Sequence, residues 1–150
     1  MLVKKEIFMD KDIFYNKIVN IERCVNRVIE VYDNDIDNLK DNTKQESIIL
    51  NILRASESSI DLAMHIVAEN RLGIPQASGD AFELLKGNNI LQEDLTEKMK
   101  ALISFRNMVL HDYENISIIL IQEIIENNLY DFYKYINTLN RYINEMGENN

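Results

Sequence analysis

The sequence has little of what interrupts helices and little that would direct it outside the cell. Among 150 residues there are one proline and four glycines, so long uninterrupted helices can form. The single cysteine, Cys24, excludes an internal disulfide and fits a reducing compartment. No basic and then apolar leader opens the chain, and no apolar run approaches the length of a membrane span. These features predict a cytoplasmic protein without membrane contact.

Positive charge is also scarce. The chain has 16 Lys and Arg residues against 25 Asp and Glu residues, which gives a formal net charge of −9. Broad, non-specific nucleic-acid binders gain affinity mainly from Lys and Arg on phosphates, so this balance counts against that class. It leaves room for a small, locally positive cleft, including one assembled from two subunits.

Apolar residues recur at helical spacing along most of the chain. In the first segment they are Phe14, Ile18, Ile21, Val25, Val28 and Tyr32. No strand pattern, glycine-rich phosphate loop, paired-cysteine motif or internal repeat accompanies them. We therefore predict an all-α fold, an antiparallel four-helix bundle with one additional short helix. It forms a single domain over residues 1–150, with a core at about 10–146 and flexible ends at 1–9 and 147–150.

The predicted helices span about 10–39, 43–71, 80–85, 90–114 and 118–147. Asp10 is a plausible cap for the first helix. Thr43 and Glu46 have the spacing of a capping box at the start of the second. The loop over 72–79 holds the only proline and two of the four glycines, so it is the main break in the chain.

The stretch over 104–113 carries the chemistry, and it contains one of only two histidines. Arg106 is always charged, and its planar fork suits phosphate oxygens. His111 can exchange a proton near neutral pH. A general base that removes the ribose 2′-OH proton and a fixed cation beside the phosphate are a minimal set for RNA cleavage. Only RNA offers that internal nucleophile.

A structural interpretation of the same residues stays open. Arg106 would then fix a helix end by a salt bridge, and His111 would favour the helix dipole from the C-terminal turn. On a continuous helix Tyr113, seven residues after Arg106, would share a face with it, whereas His111 would point partly away. A break over 112–117 would let the histidine turn back towards the arginine.

The motif formed by Arg106, Asn107, His111 and Tyr113 resembles the R-x4-H-x-Y motif of the HepT-like HEPN family, the toxins of HepT/MntA-type toxin–antitoxin pairs. Similar stretches extend over about residues 10–145. Residues 54–68 resemble the second helix of the family. Residues 72–75 and 82–85 resemble its inter-helix loop, and residues 105–107 resemble the usual lead-in to the motif. Ser104 departs from the family, where a glycine is frequent.

The resemblance implies a metal-independent endoribonuclease that works as a homodimer, with the paired motifs lining one cleft and no cofactor. Arg106 would be the phosphate clamp and His111 the acid and base. Asn107 would orient the phosphate or a catalytic side chain. Tyr113 would accept AMP from a cognate MntA-like nucleotidyltransferase antitoxin, and the added anionic group would silence the RNase.

Asp61 and His65 lie on a polar line of the second helix that has a solvated-face interpretation as well as a functional one. In the functional interpretation they face the cleft and orient Arg106 or His111. Two other classes of function also stay open. One is a catalytically inactive HEPN subunit that binds a nucleotidyltransferase or a nucleotide, which the acidic charge favours. The other is a purely structural helical dimer.

Overall fold

The computed structural model describes residues 10–148, with side chains described for residues 10–144. Over that range it contains six α-helices and two short 3₁₀ helices, and no strand. The α-helices are α1 (Lys11–Tyr32), α2 (Asn42–Glu69), α3 (Ser78–Gly87), α4 (Glu93–His111), α5 (Ile118–Asn127) and α6 (Leu129–Glu148). The 3₁₀ helices are Ile36–Lys40 and Tyr113–Asn115. The all-α prediction is confirmed. Of the flexible ends predicted at 1–9 and 147–150, residues 147 and 148 continue α6, and the others lie outside the described residues.

The first helix ends earlier than predicted. The Asp10 carboxylate caps it by accepting hydrogen bonds from the Asp12 and Ile13 amides, as expected. It then stops at Tyr32 because Asp33 and Asn34 adopt left-handed conformations, with φ of 49° and 52°. Asp and Asn tolerate that region better than other residues with side chains. The prediction of a helix to about residue 39 was therefore wrong.

The cap of α2 was also misplaced. The Asp41 carboxylate accepts the Lys44 amide at 2.9 Å, so Asp41 is the N-cap. Thr43 and Glu46 lie inside the helix and are exposed, and they form no capping box. The Asp41 carboxylate thus makes the same kind of capping bond that was predicted for Thr43, but two residues earlier in the chain.

The last predicted helix is two helices in the structure, because the chain turns at Asn128. The Asn128 carbonyl accepts the Asp131 amide at 3.1 Å, and its side-chain amide donates to the Asp131 carboxylate at 3.3 Å. The Asp131 side chain is buried and pairs with Lys98 of α4 at 3.6 Å. The break therefore anchors the start of α6 on α4.

Tyr135 joins three helices in the centre of the core. Its hydroxyl donates to the Ser59 carbonyl of α2 at 2.8 Å. Its ring packs edge-on against Phe82 of α3, with ring centroids 5.7 Å apart. Burial raises the pKa of the Tyr135 hydroxyl well above its usual value, which keeps it protonated as a donor. The core thus fixes α6 against α2 and α3.

Helices α1 and α2 pack antiparallel. The Asp10 amide at the start of α1 donates to Glu69 at the end of α2, at 3.2 Å. Further along α1, Lys17 binds Asp61 at 3.2 Å. Among the described helices, none is both long and apolar enough to cross a bilayer.

The loop between α2 and α3 depends on Gly73. Its φ is +148°, and a Cβ there would lie 2.7 Å from Leu84 Cδ2. Glycine alone adopts that backbone conformation readily and leaves room for Leu84. The residue therefore lets the chain pass close to Leu84 of α3.

Candidate functional site

Arg106, Asn107 and His111 lie in the last two turns of α4, as predicted, and the helix ends at His111, before Tyr113. The Asp112 amide donates to the Met108 carbonyl at 2.8 Å and completes the last turn. The Asp112 carboxylate then accepts the Asn115 side-chain amide at 2.6 Å, and the Asn115 backbone amide donates to the Asp112 carbonyl at 3.1 Å. These bonds hold the connection to α5 in a defined turn, so the end of the motif is not a loose chain segment.

Arg106 is half-buried and is held at the crossing of α3 and α4. Its Nη1 lies 3.4 Å from Ser78 Oγ, at the start of α3. Its Nε is buried and has no acceptor among the described residues. A buried donor without a partner costs about 1–3 kcal/mol. The guanidinium is thus a fixed cation with most of its N–H groups uncommitted to the protein.

The other motif residues are open to solvent. His111, Asn107 and Tyr113 are all exposed, and Tyr113 retains 44% of its accessible surface. In the part of the chain that the structure describes, none of the three forms a side-chain hydrogen bond or ion pair. Their functional groups are therefore free to meet a substrate, a second subunit or a modifying enzyme.

The structure changes the expected geometry of the motif. Because α4 is unbroken from Arg106 to His111, five helical residues separate their directions by about 140°. The break begins after His111, so it does not turn the histidine back towards the arginine. Tyr113 lies beyond α4 in the 3₁₀ helix, so the expectation that it shares a helical face with Arg106 was wrong.

Asp61 and His65 lie on α2, and the structure does not join them to the motif within one protomer. The exposed Asp61 carboxylate pairs with Lys17 of α1 at 3.2 Å. His65 is half-buried, four residues further along α2. No hydrogen bond or ion pair connects either residue to Arg106 or His111 among the described residues.

Sequence reasoning missed Ser78. The short helix was expected to begin at Asp80, but it begins at Ser78. The Asp80 carboxylate accepts the Gln76 and Ala77 amides at 2.8 and 3.0 Å, which adds a turn before it. A hydroxyl residue at a helix start, after the loop that holds Pro75, was the only signal available. Nothing in the spacing linked it to Arg106, 28 residues later.

Carboxylates, thiols and imidazoles are scattered rather than grouped. Over the described residues, no three His, Cys, Asp or Glu side chains come together in a way that could hold a metal ion.

Comparison with known proteins gives a consistent picture. A family model described as Ribonuclease HepT-like matches residues 21–139. The chain is 38% identical over 128 residues to the mRNA nuclease HepT of Shewanella oneidensis, an alignment that covers 85% of this chain and 96% of that protein.

Solved structures show the same likeness. The tri-AMPylated HEPN toxin of Shewanella oneidensis, solved in complex with its MNT antitoxin, superposes with a TM-score of 0.83 at 38% identity, covering 89% of this chain and 99% of that one. A toxin–antitoxin structure with AMP-PNP gives a TM-score of 0.83 at 36% identity, covering 87% of this chain and 98% of that one.

The all-α bundle is therefore that of a HEPN protein. More particularly, the chain belongs to the HepT-like ribonuclease family, as the motif predicted.

Proposed function

We propose that this protein is the toxin of a toxin–antitoxin pair and a metal-independent endoribonuclease. The observation that carries the proposal is the 38% identity to an mRNA nuclease over 85% of the chain. The placement of Arg106 and His111 supports it, because both lie on the last turns of α4, one fixed and one exposed. RNA cleavage through the internal 2′-OH needs only a base, an acid and charge stabilisation.

In this mechanism His111 accepts the proton of the ribose 2′-OH. The 2′ oxygen forms a bond to phosphorus, and the bond from phosphorus to the 5′ oxygen of the next nucleotide breaks. That oxygen takes up a proton, and a 2′,3′-cyclic phosphate remains. Arg106 binds the phosphate and stabilises its growing charge, while Asn107 orients the phosphate or a catalytic side chain.

The protein acts as a homodimer in this proposal. The directions of Arg106 and His111 differ by about 140° around α4. A two-fold axis beside α4 would bring Arg106 of each copy towards His111 of the other, so that the paired motifs line one shared cleft with two equivalent Arg106–His111 pairs. The supporting role of Asp61 and His65 stays part of the proposal, and it requires contacts that a single protomer does not make.

Control of the nuclease falls to Tyr113 and an MntA-like nucleotidyltransferase antitoxin. Tyr113 is 44% exposed and lies two residues beyond His111, so another enzyme can reach its hydroxyl. Transfer of AMP would form a phosphodiester on that hydroxyl and place a negative charge beside the RNA-binding site. The similar toxin that was solved with its MNT antitoxin is tri-AMPylated.

A single domain in the cytoplasm completes the proposal. Tyr135 ties α6 to α2 and α3 through one core, which supports a single domain. The proposed RNA substrate supports the cytoplasmic location, because RNA is present there.

The test compares the parent with His111→Ala and Arg106→Ala on RNA in EDTA. We expect the parent to leave 2′,3′-cyclic phosphate ends and each variant to lose roughly 10²- to 10⁴-fold in rate. Arg27→Ala is the matched control, because Arg27 is an exposed arginine of α1 whose one ion pair within the described part of the chain is with Glu30. Activity that appears only with added magnesium would overturn the mechanism, and variants as active as the parent would overturn the residue assignment.

A further inference from the structure

The start of α3 supplies the one side chain that forms a hydrogen bond with the Arg106 guanidinium among the described residues. Ser78 is the first residue of α3, and its Oγ lies 3.4 Å from Arg106 Nη1. This distance is long for a hydrogen bond. Contacts in an unliganded active site are often long and tighten when substrate binds. The pair thus links two helices at the proposed phosphate clamp.

Ser78 stands on a rigid support. The Asp80 carboxylate, two residues after Ser78, accepts two amides of the preceding loop and fixes the first turn of α3. Beside it, Gly79 faces α4, where an added Cβ would lie at ordinary contact distance, 3.7 Å from Lys100 Cε and 3.8 Å from Ile103 Cδ1. One turn further, Glu83 binds Lys100 of α4 at 2.8 Å. The Asp80 hydrogen bonds therefore fix the first turn of α3, and the Glu83–Lys100 ion pair holds α3 on α4, without help from the Ser78 hydroxyl.

The hydroxyl of Ser78 does not cap its own helix. The N-cap of α3 is Ala77, which makes no side-chain capping bond, and Asp80 already occupies the amides of Gln76 and Ala77. In the described residues the contact to Arg106 is its only side-chain hydrogen bond. Alanine at this position would leave the helix intact, since alanine is a strong helix former.

A neutral acceptor suits a phosphate clamp better than a carboxylate would. A carboxylate beside Arg106 would compensate its charge before the substrate arrived, whereas a hydroxyl fixes the orientation of the fork and leaves the charge available. The Nε is buried, so the proposed phosphate contact falls to the two Nη groups. Ser78 touches one of these two groups.

We propose that Ser78 is a positioning residue for Arg106, which holds the Nη end of the guanidinium in the orientation that binds the scissile phosphate. The inference rests on the proposed nuclease function. It makes the start of α3 a wall of the RNA site, next to the α2–α3 loop. Because the arginine stabilises charge that grows in the transition state, its misplacement should lower kcat more than it raises KM.

The experiment measures RNA cleavage by the full-length protein in EDTA for Ser78→Ala, Ser78→Thr and Arg106→Lys, and for Ser78→Ala combined with Arg106→Lys. Ser47→Ala on α2 is the matched control, since Ser47 has no described side-chain contact and is remote in sequence from the motif. Thermal unfolding of every variant is recorded alongside.

We expect Ser78→Ala to lose about tenfold in kcat, with an unchanged unfolding midpoint, and Ser78→Thr to regain most of that loss. In the Arg106→Lys background, which lacks the fork, Ser78→Ala should cost nothing further. The control should match the parent.

Three results would overturn the inference: full activity of Ser78→Ala, a loss that threonine does not restore, or a second tenfold loss in the Arg106→Lys background. If Arg106→Lys loses activity and Ser78→Ala does not, only the inference about Ser78 is refuted. A parent that does not cut RNA refutes the nuclease proposal and this inference with it.

Discussion

Lys100 of α4 binds Glu83 of α3, with Lys100 Nζ 2.8 Å from Glu83 Oε1, and this contact ties the two helices at the candidate site. Lys86 binds the other oxygen at 3.0 Å. The hydrogen bonds from Lys100 and Lys86 lower the pKa of the Glu83 carboxyl below its ordinary value of 4.5. In turn Glu83 raises the pKa of both lysines. The packing of α3 on α4 is therefore linked to pH.

The first prediction concerns that linkage. A carboxyl whose pKa is lowered in the folded state stabilises the fold at a pH above its ordinary pKa of 4.5. This stabilisation is lost as the pH falls through the lower pKa of the folded state. The free energy of unfolding of the parent should thus exceed that of Glu83→Gln at neutral pH, and the difference should shrink below pH 4.5. Urea denaturation across pH measures it. Glu57→Gln, at an exposed carboxylate without a described ion pair, is the control. A difference that is constant down to acid pH would contradict the prediction.

The second prediction concerns the core. Tyr135→Phe removes the hydroxyl that donates to the Ser59 carbonyl, and it should lower the free energy of unfolding by about 1 kcal/mol. Tyr15→Phe should change it little, because Tyr15 is 46% exposed and makes no described side-chain hydrogen bond. Chemical denaturation compares the two. Equal effects in both variants would show that the buried bond contributes nothing.

The third prediction concerns the composite site. Sedimentation should show a homodimer at micromolar concentration. If each site takes Arg106 from one copy and His111 from the other, a mixture of inactive Arg106→Ala and His111→Ala proteins will contain heterodimers with one intact site. An equal mixture should recover about a quarter of the parental activity. A monomer, or heterodimers without activity, would contradict the shared site.

The fourth prediction concerns the switch. Co-expression with the cognate nucleotidyltransferase should add AMP to Tyr113, as peptide mass spectrometry will show. Tyr113→Phe should remain toxic in the presence of that enzyme. Tyr130→Phe is the matched control, because Tyr130 is more exposed, at 67%, yet lies far along the chain from the motif. AMP on Tyr130 with Tyr113 unmodified, or full neutralisation of Tyr113→Phe, would exclude Tyr113 as the switch.

The periodicity of apolar residues predicted the helices well because burial enforces it. Every residue of the stripe from Phe14 to Tyr32 is buried as predicted. Boundaries were less predictable, because they depend on the hydrogen bonds of single side chains. Asp41 displaced Thr43 as a cap, and Asn128 divided a helix that its apolar pattern described as continuous.

The motif was visible in the sequence because its residues are local, within eight positions of one another. Ser78 was invisible because its contact with Arg106 exists only after α3 has packed on α4. The direction of His111 was undecided for a similar reason. The direction of the imidazole depends on whether the helix ends before or after His111. The turn formed by Asp112 and Asn115 begins directly after His111, so the helix includes that residue.

A substitution at Gly73 is expected to inactivate such a nuclease without changing the residues of the motif. A side chain at this position would have to displace Leu84, and it would hold an unfavourable backbone conformation as well. Both effects fall on the loop that leads into α3 and on Leu84 of that helix, whose first residue, Ser78, contacts Arg106. When an active nuclease is expressed without its antitoxin, survivors carry inactivating mutations. Sequencing such survivors should therefore reveal changes in the codon for residue 73 beside those for Arg106 and His111.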